Sequence, residues 1–481
     1  MSEEKVTPRG EDYSQWYLDV IQKAKLVDYG PVKGTMVIRP YGYAIWELIQ
    51  QALDKSFKET GHENAYFPMF IPYSFIMKEA QHVEGFSPEL ALVTHAGGKE
   101  LEEALVVRPT SETIINHMYS NWIKSYRDLP VLINQWANVV RWEMKTKPFL
   151  RTTEFLWQEG HTAHSTPEEA EEETLKMLKV YSDFAYNEAA IPVIYGRKSE
   201  NEKFAGAERT YTIEAMMGDG KALQSGTSHN LGQNFAKAFN TRFLTQNGEL
   251  EYPWQTSWGV STRMVGGIIM AHGDDKGLVL PPRLAPFQAI IVPIWQKEED
   301  KQAVFEMCSN VEKLLKLSGI RVKSDMSEQE TPGWKYNEWE MKGVPLRIEI
   351  GPKDVAKNAV VFARRDKPGK EGKQFGIPVD EVGTTAVNWL EDIQNSILQK
   401  AILFRDSNII DVTNLEEFKL VIESGKWVRA AWAGTSEMEK ILKDQTGATL
   451  RCFPLDQPSE IGNCFYTGVK ANEIALFAKS Y

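Results

Sequence analysis

Residues 139–161 read VVRWEMKTKPFLRTTEFLWQEGH. The runs NVVRWEM (138–144) and EFLWQEGH (154–161) have the β-branched and aromatic content of two strands, and the polar stretch KTKPFLRT (145–152) joins them as a loop. Successive strand side chains point to opposite faces, so Arg141 and Glu143 are expected on one face. An arginine there can hold a phosphate in a two-pronged fork, and a glutamate can accept from an amino group. Arg151 could reach a second phosphate from the loop. The competing reading is a cross-strand salt bridge on a solvated face, and on these residues alone it weighs more.

Three other segments carry polar residues in patterns that suit a ligand. In RPTSET (108–113), a carboxylate on Glu112 beside the Thr110 hydroxyl suits a substrate ammonium, while Thr110 or Ser111 could equally cap the helix that continues IINHMYSNW. GKALQSGTSHNLGQNF (220–235) reads as a glycine-containing loop presenting Gln224, Thr227 and His229. SWGVSTRMVGG (257–267) places Arg263 between glycines that let backbone approach a terminal phosphate. HTAH (161–164) has two histidines, but without a third ligand it reads as a surface loop rather than a metal pair.

Helical periodicity appears at Tyr43–Glu59, with Ile45, Trp46, Ile49, Ala52, Leu53 and Phe57 in register, and again at about 168–189. Thr166, Pro167 and Glu169 give the second helix an N-cap, a first-position proline and a capping box. The first part of the chain (1–283) is therefore α+β, an antiparallel sheet with helices. The prolines of VLPPRLAP (279–286) mark a boundary. Strands and helices then alternate through 284–382, as in an α/β domain, and a small α+β domain occupies 383–481.

With 481 residues, the chain is too long for one ordinary domain. A net charge of -11 argues against a protein that coats nucleic acid by bulk charge, though not against a local basic face. Cys308, Cys452 and Cys464 make neither a disulfide framework nor a four-sulfur zinc site. The charged start lacks the apolar core of a secretory signal, and no apolar run is long enough to span a bilayer, so a cytoplasmic protein with no membrane contact is expected.

Taken together, these segments resemble the class II aminoacyl-tRNA synthetases, and within them the prolyl-tRNA synthetases, over about 34–481. GTMVIRPYGYAIWE (34–47) and AYFPMFIP (65–72) look like motif 1, which in this family builds a homodimer interface; residues 139–161 look like motif 2 and 257–274 like motif 3. RPTSET matches the proline-binding loop, and TPGWKYNEWEMKGVPLRIEIGPKD (331–354) the anticodon-binding domain. The form with a C-terminal extension ending in tyrosine, archaeal and eukaryotic-like, fits best, and 161–258 is too short to hold an editing domain.

The resemblance implies an enzyme that activates L-proline with ATP and magnesium and transfers it to tRNA(Pro). It implies that Thr110 and Glu112 hold the imino nitrogen, and that Trp157, Glu159, Phe204 and His229 shape the proline pocket. Arg141 should bridge the proline carboxylate and the α-phosphate. Glu143, Arg151, Thr152 and Phe155 should bind ATP, with Gln224 and Thr227 placing ATP and its magnesium and Ser261 and Arg263 completing the site. Glu340, Arg347 and Lys353 are candidate anticodon readers. Misactivation of alanine and cysteine is expected, because a methylene discriminates by only ~1–3 kcal/mol. At the family's zinc positions stand Ala433, Met438, Cys464 and Thr467, so no structural zinc is expected. Tyr481 is expected to fold back toward the catalytic domain. The alternatives are another synthetase of the same subclass, a non-catalytic paralogue that binds tRNA, and an acidic enzyme with no tRNA role. Retention of Arg141, Arg151 and Arg263 speaks against the paralogue.

Overall fold

A computed structural model describes residues 6–82 and 90–481. The elements that build the site are α1 (Tyr13–Lys23), α2 (Pro40–Glu59), α3 (Glu112–Trp122), β1 (Val131–Val140), β2 (Glu154–His164), α4 (Pro167–Asn187), β3 (Ile194–Arg197), β4 (Arg209–Met216), β5 (Ala222–Gly232), β6 (Trp254–Ser261) and α5 (Arg263–His272). Strands pair in the order β3-β4-β5-β6-β2-β1, all antiparallel. One face is covered by α2 and α4. The expected stripe of α2 is buried at Ile45, Trp46, Ile49, Leu53 and Phe57, each worth about 1.5–3 kcal/mol when fully buried. α4 starts as its sequence demands: Thr166 caps, Pro167 leads, and the Glu169 carboxylate accepts back from the cap. Trp258 lies fully buried across the sheet because its register partner is Gly160; a Cβ there would sit 2.1 Å from the indole.

Beyond Pro281 and Pro282 lies a mixed five-stranded sheet. It comprises β7 (Ala289–Pro293), β8 (Val322–Ser324), β9 (Leu346–Ile350), β10 (Ala359–Arg364) and β11 (Lys373–Pro378), in the order β8-β7-β9-β10-β11. α6 (Glu298–Leu317), α7 (Pro332–Met341) and α8 (Val382–Ser407) accompany it. In the C-terminal part, β12 (Ile409–Asp411), β13 (Trp427–Trp432), β14 (Thr449–Pro454) and β15 (Glu473–Ala478) extend the first sheet through β14, whose Phe453 and Pro454 pair with Arg197 and Gly196 of β3. Gly196 makes the approach possible, since a Cβ would meet the Phe453 carbonyl oxygen at 2.2 Å. Among the described residues, no helix is long and apolar enough to cross a membrane.

Four local expectations are corrected. β1 ends at Val140, so Arg141 and Glu143 do not lie on a strand. The Arg141 N–H bonds the Thr153 carbonyl, then the Glu143 N–H turns back onto the Arg141 carbonyl at 2.7 Å, which ends the ladder. Residues 222–232 form β5 rather than a loop. HTAH is a buried strand end, not a surface loop: His161 donates to the Glu159 carboxylate and His164 pairs with the Thr162 hydroxyl. Ser111 stands at the N-cap of α3 without capping it, because its hydroxyl donates to Glu159 instead.

Candidate active site

Register explains why distant residues share one face. Across the sheet, Trp157, Glu159 and His161 of β2 face Ser261, Gly259 and Ser257 of β6; Gly259 and Ser257 in turn face Thr227 and His229 of β5, and His229 faces Thr210 of β4. These residues and Phe155 line a cavity of about 260 Å³. Gly259 adds no side chain at its middle. A β-bulge at Ser225 leaves that residue unpaired and shifts the alternation of β5 by one, so Gln224 joins Thr227 and His229 on the cavity wall.

Thr110 and Glu112 enter from the N-terminus of α3, with the Thr110 hydroxyl donating to the buried Glu112 carboxylate. Arg141 reaches in from the end of β1. Its Nε donates to the Pro109 carbonyl at 3.0 Å, and its guanidinium lies 5.5 Å and 5.4 Å from the Phe155 and Trp157 ring centres. Arg263, at the first turn of α5, donates to the carbonyls of Leu150 (3.1 Å) and Gln224 (3.3 Å). Among the described residues, neither arginine has a carboxylate within ion-pair distance. Burial, then the nearby charges of Arg141 and Arg151, pull the Arg263 pKa down to about 10. Such crowding of cations, with Arg141 and Arg263 unpaired, fits an anion of high charge. Among the described residues, the buried Trp157 indole N–H and Ser257 hydroxyl also lack protein partners, as expected of groups awaiting a ligand.

The apolar side of the cavity is made by Phe204 and His229, whose ring centres lie 4.8 Å apart. Burial, then the charge of His161, drives the His229 pKa to about 3, so its ring is neutral and presents an apolar face.

Three candidates stand outside the cavity wall. Glu143 and Arg151 pair at 3.1 Å near the mouth, the competing salt bridge of the sequence reading. Thr152 is buried and its hydroxyl donates to the Glu154 carbonyl. The other twelve, Thr110, Glu112, Arg141, Phe155, Trp157, Glu159, Phe204, Gln224, Thr227, His229, Ser261 and Arg263, all line it. Sequence reasoning missed His161, Thr210 and Ser257. The period-two run Phe155, Trp157, Glu159, His161 could have found the first.

The chain end closes on the same region. The Tyr481 hydroxyl donates to Asp219 at 2.5 Å, and its ring and that of Tyr17 flank the Lys147 ammonium at 5.2 Å and 5.1 Å. Lys147 in turn holds Arg151 through backbone hydrogen bonds. In the second domain, Arg347 stacks on Tyr336 at 4.0 Å and pairs with Glu349, Lys353 is exposed, and the Glu340 carboxylate meets Lys276 at 3.2 Å.

The family model described as the tRNA synthetase class II core domain (G, H, P, S and T) matches residues 93–272. An anticodon-binding domain matches 288–389 and the prolyl-tRNA synthetase C-terminal domain 415–481. The chain is 64% identical to the chloroplastic/mitochondrial proline–tRNA ligase of Arabidopsis thaliana, over all of this chain and 89% of that one. It is 56% identical to the proline–tRNA ligase of a Roseiflexus species over the whole of both. Prolyl-tRNA synthetase from Cryptosporidium parvum, solved with halofuginone and AMPPNP, superposes with a TM-score of 0.94 at 43% identity, covering 99% of each chain. The same enzyme with L-proline and AMP gives 0.92 at 41%, again over 99% of each. The unpaired arginines, the acid-lined pocket and the end-to-end match at this identity leave one assignment: the chain belongs to the prolyl-tRNA synthetases, class II ligases that join proline to its tRNA.

Proposed function

We propose that the cavity between β2, β5 and β6 carries out both steps of proline–tRNA ligation with the residues named above. The observation that carries this is the convergence of unpaired Arg141 and Arg263 with buried Glu112 on one cavity. Proline's secondary ammonium binds Glu112 and Thr110, and its ring lies against Phe204, His229 and Trp157. Its carboxylate oxygen attacks the α-phosphorus of ATP, and the bond to the β-phosphate breaks to release pyrophosphate. Arg141 lowers the repulsion of the two anions as they meet, and Arg263 takes up charge on the leaving group. Phe155 stacks on adenine, with Glu143, Arg151 and Thr152 at its edge. A ribose hydroxyl of the tRNA end then attacks the prolyl carbonyl and AMP leaves.

The cavity wall fits magnesium carried on phosphate oxygens: it offers the Gln224 carboxamide, and among the described residues no cluster of three or more acidic, histidine or cysteine side chains could cage the ion. When bound, the ion neutralises phosphate charge. Proline-dependent ATP–pyrophosphate exchange tests the reading: Arg141→Ala should lower kcat by about 10²–10³-fold. Folded wild-type protein without exchange would favour the tRNA-binding paralogue.

The same reading includes finer points. Residues 1–283, 284–382 and 383–481 act as catalytic, anticodon-binding and C-terminal domains. Arg347 and Lys353 read anticodon bases; Glu340 would first have to leave Lys276. A second copy of the chain covers the motif 1 segments, where Val37, Tyr43, Tyr66 and Phe70 are exposed; sedimentation should give a dimer. Cysteine and alanine support exchange, since nothing in the pocket excludes a smaller side chain. The C-terminal domain folds without zinc, and metal analysis should find none. At Cys464, burial opposes ionisation, but hydrogen bonds from Thr467, Ala433 and Tyr466 outweigh it. The enzyme works in the cytoplasm, to be checked by fractionation.

A further inference from the structure

The floor of the cavity holds a second buried carboxylate that the reaction leaves unused. Glu159 is 3% exposed, and its oxygens are filled from within the protein. The Ser111 hydroxyl (2.5 Å) and the Gln135 amide (2.8 Å) donate to one oxygen, and the His161 Nε2 lies 3.0 Å from the other. His161 is itself buried, and the charged or titratable groups that face it are Glu159 on its own strand, Glu112 from α3 and His229 from β5. Gln135 fixes the arrangement further, its carbonyl oxygen accepting from the Phe67 N–H at 2.6 Å.

We infer that His161 is a positioning residue that closes the charge of Glu159, leaving Glu112 as the one buried carboxylate open to the proline ammonium; Glu202, the third carboxylate on the cavity wall, is half-buried and lies 3.9 Å from Lys443. This rests on the placement of proline given above. Without the pair, the pocket would offer two anions to one cation, and proline could settle with its nitrogen on the wrong one, its carboxylate displaced from Arg141. Burial opposes charge on the imidazole, but the hydrogen bond and field of Glu159 outweigh it and keep the ring protonated; the same bond holds the carboxylate ionised. Burial first, and the charge of this ring second, keep its neighbour His229 neutral, so one histidine is electrostatic and the other an apolar wall.

The test is the KM for proline in ATP–pyrophosphate exchange, followed from about pH 6 to pH 8, where an ordinary histidine titrates. Wild type should be nearly flat. In His161→Gln the bared Glu159 ionises as pH rises, so the KM should climb by about tenfold across the range. In Glu159→Gln the bared imidazole gains charge as pH falls and repels the ammonium, so the slope should reverse. The double variant E159Q/H161Q removes both charges and should be flat again, with the KM for ATP unchanged throughout. Opposite slopes cancelling in the double variant support the pairing. Parallel losses independent of pH in the singles, or a double variant no flatter than they are, overturn it. Absence of exchange in the wild type would instead strike at the placement of proline, which separates the two failures. Should one single variant not fold, the remaining single and the double still give the comparison.

Discussion

Glu214 on β4 and Arg451 on β14, 237 residues apart in the chain, share a doubly hydrogen-bonded ion pair at 2.9 and 3.0 Å in the interior. Lys198 holds the other oxygen of Glu214 at 2.8 Å, and all three side chains are at most 6% exposed. The C-terminal domain is thus riveted to the strand that backs Gln224. Glu214→Gln would strand two buried cations and should cost about 3–5 kcal/mol, read as a fall in Tm. Burial alone would raise the Glu214 pKa, but Lys198 and Arg451 together bring it below the usual carboxylate range. Its stabilisation is therefore complete above the unfolded value and disappears as pH falls through the folded one. A variant melting with wild type would show that the cluster is hydrated.

Tyr481 offers a graded test of the chain end. Tyr481→Phe keeps the ring beside Lys147 and Lys221 but loses the bond to Asp219, and should raise the KM for ATP about threefold. Deleting Tyr481 frees Lys147 as well, and with it Arg151, so the increase should be larger. Equal kinetics for the deletion and wild type would refute the coupling.

Buried neutral histidines predict acid sensitivity above the carboxylate range. Burial brings His164 and His272 down to about 4 and His229 to about 3, against an ordinary 6.5. Between those values the unfolded chain binds protons that the fold refuses. Stability should therefore fall as pH drops from 6.5 toward 4, each group contributing at most about 1.4 kcal/mol per pH unit. His161, raised by Glu159, acts in the other direction: its contribution is whole below 6.5 and is lost as pH climbs through the folded value. Melting curves at pH steps across this window check the sum; a Tm unchanged down to pH ~4.5 would contradict it.

Much of the site could be read locally because its chemistry is local in sequence. The α4 capping box, the α2 stripe and the short segments bearing Thr110, Glu112, Arg141 and Arg263 each follow from residue types within one turn or one strand. His161 and Ser225 were harder. The first looked like half of a surface pair until burial beside Glu159 gave it a partner, and the second acts only through a bulge, which depends on the register of β4 against β5.

What the sequence determined by itself was the family, the order of its domains and most of the residues on the cavity wall, since helix period, strand alternation and motif spacing are properties of neighbours along the chain. Only the tertiary structure decided that Glu143 and Arg151 pair with each other, that Glu340 faces Lys276, that Glu159 meets His161, and that β14 joins the catalytic sheet. Each of these depends on which charges meet across long loops and how far water is excluded from them, and burial sets the strength of a charge pair more than residue type does.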